Sequence, residues 1–291
     1  MYPPRFEYSA PSTLEEALAT LGQLGEEGRV LAGGQSLIPL MKLRLASPPH
    51  LVDINRLTDL AYIRRDNGYL AVGALARHAD VVASPEVAAA STAMADAAPW
   101  ISDPLVRNRG TLCGSVAHCD PEGDWNSVML AVGGAVVAVS QGGERTIPVT
   151  EFLVDFFTNS LRPGEMVKEV RVPVPAARSG GAYLKLERKV GDYATVGVAT
   201  HLELDLGGRI SQAGIGLTSV HHHNLKPVEA ERMLIGQEPS EEAFAEAAAA
   251  AASACQPASD VRGPAEYKRA VVREYVKRAL ARSAARARGE D

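Results

Sequence analysis

Two short stretches constrain this chain more than anything else in it. Residues 31–36 read LAGGQS and residues 110–115 read GTLCGS, so a glycine-bearing, hydroxyl-ended turn twice follows an apolar stretch. A bound pyrophosphate needs several backbone N–H donors converging on one point with no side chains in the way. Glycine permits that approach, and a following helix adds its positive end. Gly33 and Gly34, leading into Gln35, Ser36 and a predicted helix through Leu37 to Leu45, meet the requirement. A Gly-Gly pair that only ends a strand would look the same. Two such turns in separate units change the balance, because they can grip one long ligand from both sides. No G-x-G-x-x-G follows a strand, which argues against a Rossmann-type nicotinamide site.

The units around the turns follow from apolar spacing. Ser12 or Thr13 caps a helix burying Leu14, Ala17, Leu18 and Leu21, with Glu15 and Glu16 in its favourable first turn. Residues 29–32 and 51–54 read as short strands, making 1–57 a small α/β subdomain with a turn at a strand's carboxyl end. A second subdomain, about 58–176, has strands near 61–64 and 69–74, helices from Arg77 and from Pro85 to Trp100, and a hairpin of 135–139 with 145–149. Pro173, Pro175 and the small residues to Gly181 read as a linker. Beyond it, 183–189, 196–206 and 209–220 read as three antiparallel strands. Helices at 227–234, 240–254 and 266–281 follow, so 180–284 is expected to be a C-terminal α+β domain, with 285–291 a frayed tail.

Charge and cysteine content remove several classes. The 291 residues carry 30 basic against 35 acidic side chains, a formal net charge of −5, without the basic face a nucleic-acid binder needs. No apolar run reaches the roughly 18 residues of a membrane span. The start MYPPRFEYSAPS has no apolar signal core, and three cysteines suit a reducing cytoplasm. Cys113, Cys119 and Cys255 are too few and too scattered for a zinc site or an iron–sulfur cluster. The run His221-His222-His223 is expected to be a solvated strand end, since consecutive side chains on a strand point to opposite faces; no metal is expected on this chain. Ser115, His118 and Asp120 have the residue types of a hydrolase triad but lack a G-x-S-x-G elbow. Asp124 either caps the helix it starts or accepts hydrogen bonds from ligand hydroxyls, as acidic residues do from a ribose.

Taken in order, AGGQSLIPLMKLRLA (32–46) and RNRGTLCGSVAHCDPEGD (107–124) resemble the two FAD-binding motifs of flavoprotein subunits in the molybdenum hydroxylase family, which includes the medium chain of carbon monoxide dehydrogenase and the flavin domain of xanthine dehydrogenase. The likeness extends through LRPGEMVKEVRVP (161–173) and YLKLERKVGDYATVGVA (183–199).

That resemblance implies an α+β fold: two small α/β subdomains forming a PCMH-type FAD-binding domain, then a C-terminal domain with a three-stranded antiparallel sheet. It implies that Ala32, Gly33, Gly34, Gln35 and Ser36 wrap the FAD diphosphate from one side, and Thr111, Gly114 and Ser115 from the other. Asp124 is then expected to hold a sugar hydroxyl. Leu161, Lys185, Ile101, Asp192 and Tyr193 fall at flavin-contact positions. Cys113 stands where the family has glycine. We expect it to keep negative φ and turn its thiol into the adjoining core, because Gly110 and Gly114 absorb the adjustment. FAD is expected to be non-covalent, since neither turn contains a His or Tyr for attachment. The implied activity is electron transfer, from two 2Fe–2S clusters on a small subunit to an external acceptor. A molybdopterin-binding large subunit oxidises the substrate, the whole being a dimer of heterotrimers. The alternative is a self-sufficient FAD reductase or oxidase of the same fold.

Overall fold

The computed structural model describes residues 2–290; Met1 and Asp291 lie outside the described residues. Thr13 starts the first helix, Leu14–Leu24: its Oγ1 accepts from Glu16 N (3.2 Å), while Glu16 Oε2 accepts from Ser12 N (2.8 Å). The cap satisfies one of the helix's unpaired N-terminal donors, and Glu16 reaches back to the residue before the cap. The helix lays Ala17, Leu18 and Leu21 on a three-stranded parallel sheet ordered Glu7–Ser9, His50–Asp53, Gly28–Leu31. The edge strand Glu7–Ser9 is too short and too exposed to show in the sequence pattern.

The second sheet is antiparallel, ordered Ile63–Asp66, Tyr69–Gly73, Met166–Pro173, Ala135–Ser140, Gly143–Pro148. Its central strand, Met166–Pro173, comes from the stretch 161–173. The predicted helix from Pro85 to Trp100 is broken instead. It forms Pro85–Ala90, Thr92–Ala97 and a 3-10 turn, Ala98–Trp100. Ser91 causes the break, because its backbone is extended and its Oγ accepts from Met94 N (3.3 Å), capping a new helix.

The third sheet joins Ser179–Leu186, Val196–Leu204 and Ile210–Thr218, all antiparallel. Ser179–Gly181, read as linker, is therefore strand. One face of this sheet carries the helices Glu241–Ala254 and Ala265–Arg288. The frayed tail expected at 285–291 needs correction: the last helix runs to Arg288, with Ser283, Ala284 and Ala287 buried and Arg286 Nη1 bonded to Asp96 (2.7 Å). Small side chains let that helix sit close to the sheet, which a reading of its arginines alone does not reveal.

The other face packs on the helix Asp124–Ala131, and glycine makes the approach possible. A Cβ on Gly214 would lie 1.8 Å from Ala131 O, and one on Gly216 would lie 1.9 Å from Ser127 O. Every residue of that helix is buried as a result. Tyr183 and Lys185, two apart on a strand and so on one face, both point toward its first turn.

Candidate functional site

The first glycine turn follows the strand Gly28–Leu31. Gly34 has φ +73, which glycine adopts without strain. Among the described residues, no protein acceptor takes a hydrogen bond from the amides of Gly33, Gly34, Gln35 or Ser36. Ser36 begins the helix Leu37–Lys42 but makes no side-chain cap, so its hydroxyl remains available as well.

The second stretch is the opening of a helix rather than a turn. Thr111 caps Leu112–His118, its Oγ1 accepting from Gly114 N (3.0 Å), which places Gly114 and Ser115 inside the first turns. The two stretches touch. A Cβ on Gly33 would lie 2.3 Å from Arg109 O and 2.7 Å from Gly110 Cα, so only glycine lets them meet.

Residues that the sequence reading missed hold the meeting point. Asn55 Nδ2 donates to Ala32 O (2.8 Å), and Arg77 donates both to Asn55 Oδ1 (2.7 Å) and to Arg109 O (2.6 Å). One side-chain bridge thus ties the first motif to the second. The one signal in the sequence is the D-x-N pattern after the strand, where Asn55 N donates to Asp53 Oδ1 (2.9 Å) in an Asx turn. Behind them His78 N donates to Gly110 O (2.9 Å), and Trp125 Nε1 donates to His78 Nδ1 (3.1 Å). Burial, helped by Arg107 and Arg77, depresses the imidazole to about 4, so it is neutral and able to accept.

Cys113 lies inside the helix, does not have positive φ, and donates its thiol to Val72 O (3.3 Å) in the core. Burial pushes the thiol well above its ordinary range. The side chain therefore points away from the turn's open face.

A second group of residues lies past the same helix. Asp124 is not a side-chain cap: Gly123 takes the N-cap position. Its carboxylate accepts from Tyr183 Oη (2.5 Å) and from Lys185 Nζ (3.0 Å), and Lys185 also donates to Trp100 O (3.1 Å). Two residues expected to contact a ligand separately are thus paired with each other. Burial raises the carboxyl of Asp124 against the opposing pull of Lys185, and burial raises Asp120 and Glu122 too. Arg262, another residue the sequence did not flag, pairs with Glu122 (2.7 Å) and approaches Asp192 (3.9 Å) and the Tyr193 ring (5.8 Å to its centroid). Burial pushes Tyr193 up to about 12. Ile101 is buried beside this group: Gly191, next to Asp192, would place a Cβ 3.1 Å from Ser102 O. Leu161 is half-buried on the main core, and its N donates to Asn159 Oδ1 (3.0 Å), while Asn159 Nδ2 holds Ala117 O (2.7 Å).

The chain has two matching family models: the FAD binding domain in molybdopterin dehydrogenase, over residues 4–175, and the CO dehydrogenase flavoprotein C-terminal domain, over residues 181–283. The chain belongs to this flavoprotein family. It is similar to the carbon monoxide dehydrogenase medium chain of Hydrogenophaga pseudoflava, at 43% identity with 96% of this chain and 97% of that one aligned. The 6-hydroxypseudooxynicotine dehydrogenase complex subunit alpha of Paenarthrobacter nicotinovorans is 41% identical, over 99% of this chain and 97% of that one. Among solved structures, a carbon monoxide dehydrogenase from Hydrogenophaga pseudoflava superposes with a TM-score of 0.94 at 45% identity, covering 98% and 99% of the two chains. Quinoline 2-oxidoreductase from Pseudomonas putida 86 gives 0.90 at 32% identity, covering 99% of each. These flavoproteins are oxidoreductase subunits, and the fold expected from the sequence is the one found: an FAD-binding domain followed by a C-terminal domain with a three-stranded antiparallel sheet. Among the described residues, no helix is long and apolar enough to cross a membrane.

FAD fits the residues present. The amide cluster at 33–36 matches the demand of a diphosphate, and the close backbone contact at Gly33, with which a Cβ would clash, sets the second motif beside it. Buried polar atoms without a protein partner, Asn126 Oδ1, Ser160 Oγ and Arg262 Nε, belong to residues neighbouring Asp124, Leu161 and Asp192.

Proposed function

We propose that this chain is the FAD-carrying electron-transfer subunit of a molybdenum hydroxylase complex. It stands between 2Fe–2S clusters on a small partner subunit and an external acceptor, with substrate oxidation on a molybdopterin-binding large subunit. The observation that supports the reading is the contact of Gly33 with Arg109 and Gly110, which brings two distant motifs side by side.

Each part of the chain has a task in this reading. The amides of Gly33–Ser36 bind the diphosphate from one side; Thr111, Gly114 and Ser115 approach it from the other. The Asn55–Arg77 bridge fixes the spacing of the two walls. Asp124, already oriented by Tyr183 and Lys185, keeps lone pairs for a sugar hydroxyl. Ile101, Leu161, Asp192 and Tyr193 border the ring system, and Lys185 lends it positive charge from behind Asp124. FAD, when bound, supplies the redox chemistry; the protein supplies position and field. Binding is non-covalent, as the open walls present no His or Tyr and Cys113 faces the core. The divisions 1–57, 58–176 and 180–284 are part of the same reading. So is a cytoplasmic location, supported by three buried, unpaired cysteines, and so is a dimer of heterotrimers.

Purification of the complex from its native source tests this. The expected preparation holds FAD, molybdenum and iron together with two further chains. A chain that purifies alone with FAD and turns over an organic substrate without molybdenum would instead establish the self-sufficient reductase or oxidase.

A further inference from the structure

The three consecutive histidines do not form a strand end. The strand stops at Thr218, Ser219 takes φ +66, and His221, His222 and His223 lie on a bend. Their rings gather, with centroids 4.0 Å apart for His221–His222 and 4.6 Å apart for the other two pairs. One ligand nitrogen from each lies within 4.8 Å of the others. The expectation of side chains on opposite faces therefore fails, because strand alternation no longer applies once the backbone bends.

The loop is tethered at its base and at both flanks. Leu217 and Leu225 exchange hydrogen bonds across its base (2.8 and 3.0 Å). Ser219 N donates to Pro121 O (2.9 Å), Gln256 N donates to Val220 O (2.9 Å), and Asn224 Nδ2 donates to Gly123 O (3.0 Å). Holding the rings together thus costs little further ordering on binding an ion. Within the cluster, His221 Nδ1 is buried with no hydrogen-bond partner, an orphan that a ligand would satisfy. His223 Nδ1 faces Asn224 O (2.8 Å), an arrangement that puts its proton there and leaves Nε2 with a free lone pair. Asp155, from the two-stranded ribbon Leu153–Asp155 with Thr158–Asn159, lies 3.6 Å from His222 Nε2 and brings negative charge.

We propose that His221, His222 and His223, with Asp155, form a binding site for a borderline divalent ion of the zinc class. Imidazole nitrogen and a carboxylate are the ligands such ions take, and three nitrogens plus one oxygen or water complete a tetrahedron. Nitrogens on one tetrahedral ion at about 2.0–2.1 Å stand roughly 3.4 Å apart, so side-chain rotation closes the cluster. Asp155 belongs to the FAD-binding unit and the histidines to the C-terminal unit. An ion there pins the two together beside Pro121–Gly123, the stretch leading to Asp124.

The test is a cobalt(II) titration of the full chain carrying FAD, prepared without an affinity tag and freed of metal with a chelator. The expected result is saturation at one ion per chain with the visible bands of tetrahedral cobalt, displaced by zinc. His223→Gln and Asp155→Asn should each weaken binding at least about tenfold. In the unsubstituted chain, zinc should protect the peptide containing His221–His223 from diethyl pyrocarbonate. Titration that does not saturate at one ion, equal affinity in the variants, or modification unaffected by zinc would each overturn the assignment.

Discussion

Lys185 Nζ lies 3.0 Å from Asp124 Oδ2, an ion pair in which both side chains are buried and which joins the last domain to the start of the helix Asp124–Ala131. Asp124→Ala would leave that buried ammonium with only the more distant Glu187 carboxylate (3.7 Å), and breaking a buried pair costs about 3–5 kcal/mol of stability. Urea unfolding of the variant is expected to show a loss of that size. Asp124→Leu with Lys185→Met should recover a large part of it. A loss of about 1 kcal/mol, the scale of a helix cap, would show that the pair contributes little.

The Asn55–Arg77 bridge makes a different prediction. Arg77→Ala removes two hydrogen bonds from a charged donor, each worth about 1.5–3 kcal/mol in such settings. Part of that loss should appear as cradle geometry, with FAD affinity falling about tenfold or more in a fluorescence titration. Unchanged affinity would mean the cradle keeps its shape without the bridge.

His78 links the site to acidity. Its folded value of about 4 lies below the unfolded 6.5, so the unfolded chain binds the extra proton between those limits. Stability is therefore fully present above about 6.5 and lost as the pH falls toward 4. The total is about 3 kcal/mol at 1.36 kcal/mol per pH unit. Denaturant midpoints at pH 7 and pH 5 should differ in that direction, and His78→Gln should flatten the difference. An identical pH slope in the variant would exonerate His78.

Cys113 bears on how the helix lies. Its thiol is buried and held in the protonated form, so a thiol reagent should label it slowly in the folded chain and quickly in denaturant. Cys113→Phe should destabilise by about 1–3 kcal/mol or more through overpacking. Rapid labelling of the folded holoprotein would place the thiol on the open face instead.

Much of this was legible from residue types. The two glycine motifs, a helix cap at Ser12 or Thr13 and the antiparallel C-terminal sheet follow from local spacing. So did the inward turn of Cys113, since flanking glycines and a small apolar thiol both favour it, although the helix that carries it was not read. What could not be read were relationships across the chain. Nothing local in Asn55 or Arg77 announces a bridge spanning 22 residues, and nothing in Asp124 tells that Tyr183 and Lys185 reach it from about 60 residues away. The helical tail and the histidine bend were misread for a related reason. Packing on small residues orders the first, and tethering of Ser219, Val220 and Asn224 shapes the second.

The central claim is that two separate motifs make one FAD cradle, and Gly33→Ala tests it most directly. The added methyl carbon would fall 2.3 Å from Arg109 O, so the two walls must part. FAD titration of the variant should show affinity reduced about tenfold to a hundredfold, on the scale of a 1–3 kcal/mol overpacking cost. Gly142→Ala, in a distant hairpin where a Cβ meets only ordinary contact at 3.5 Å, should leave it unchanged. Full FAD affinity in a folded Gly33→Ala chain would contradict the account.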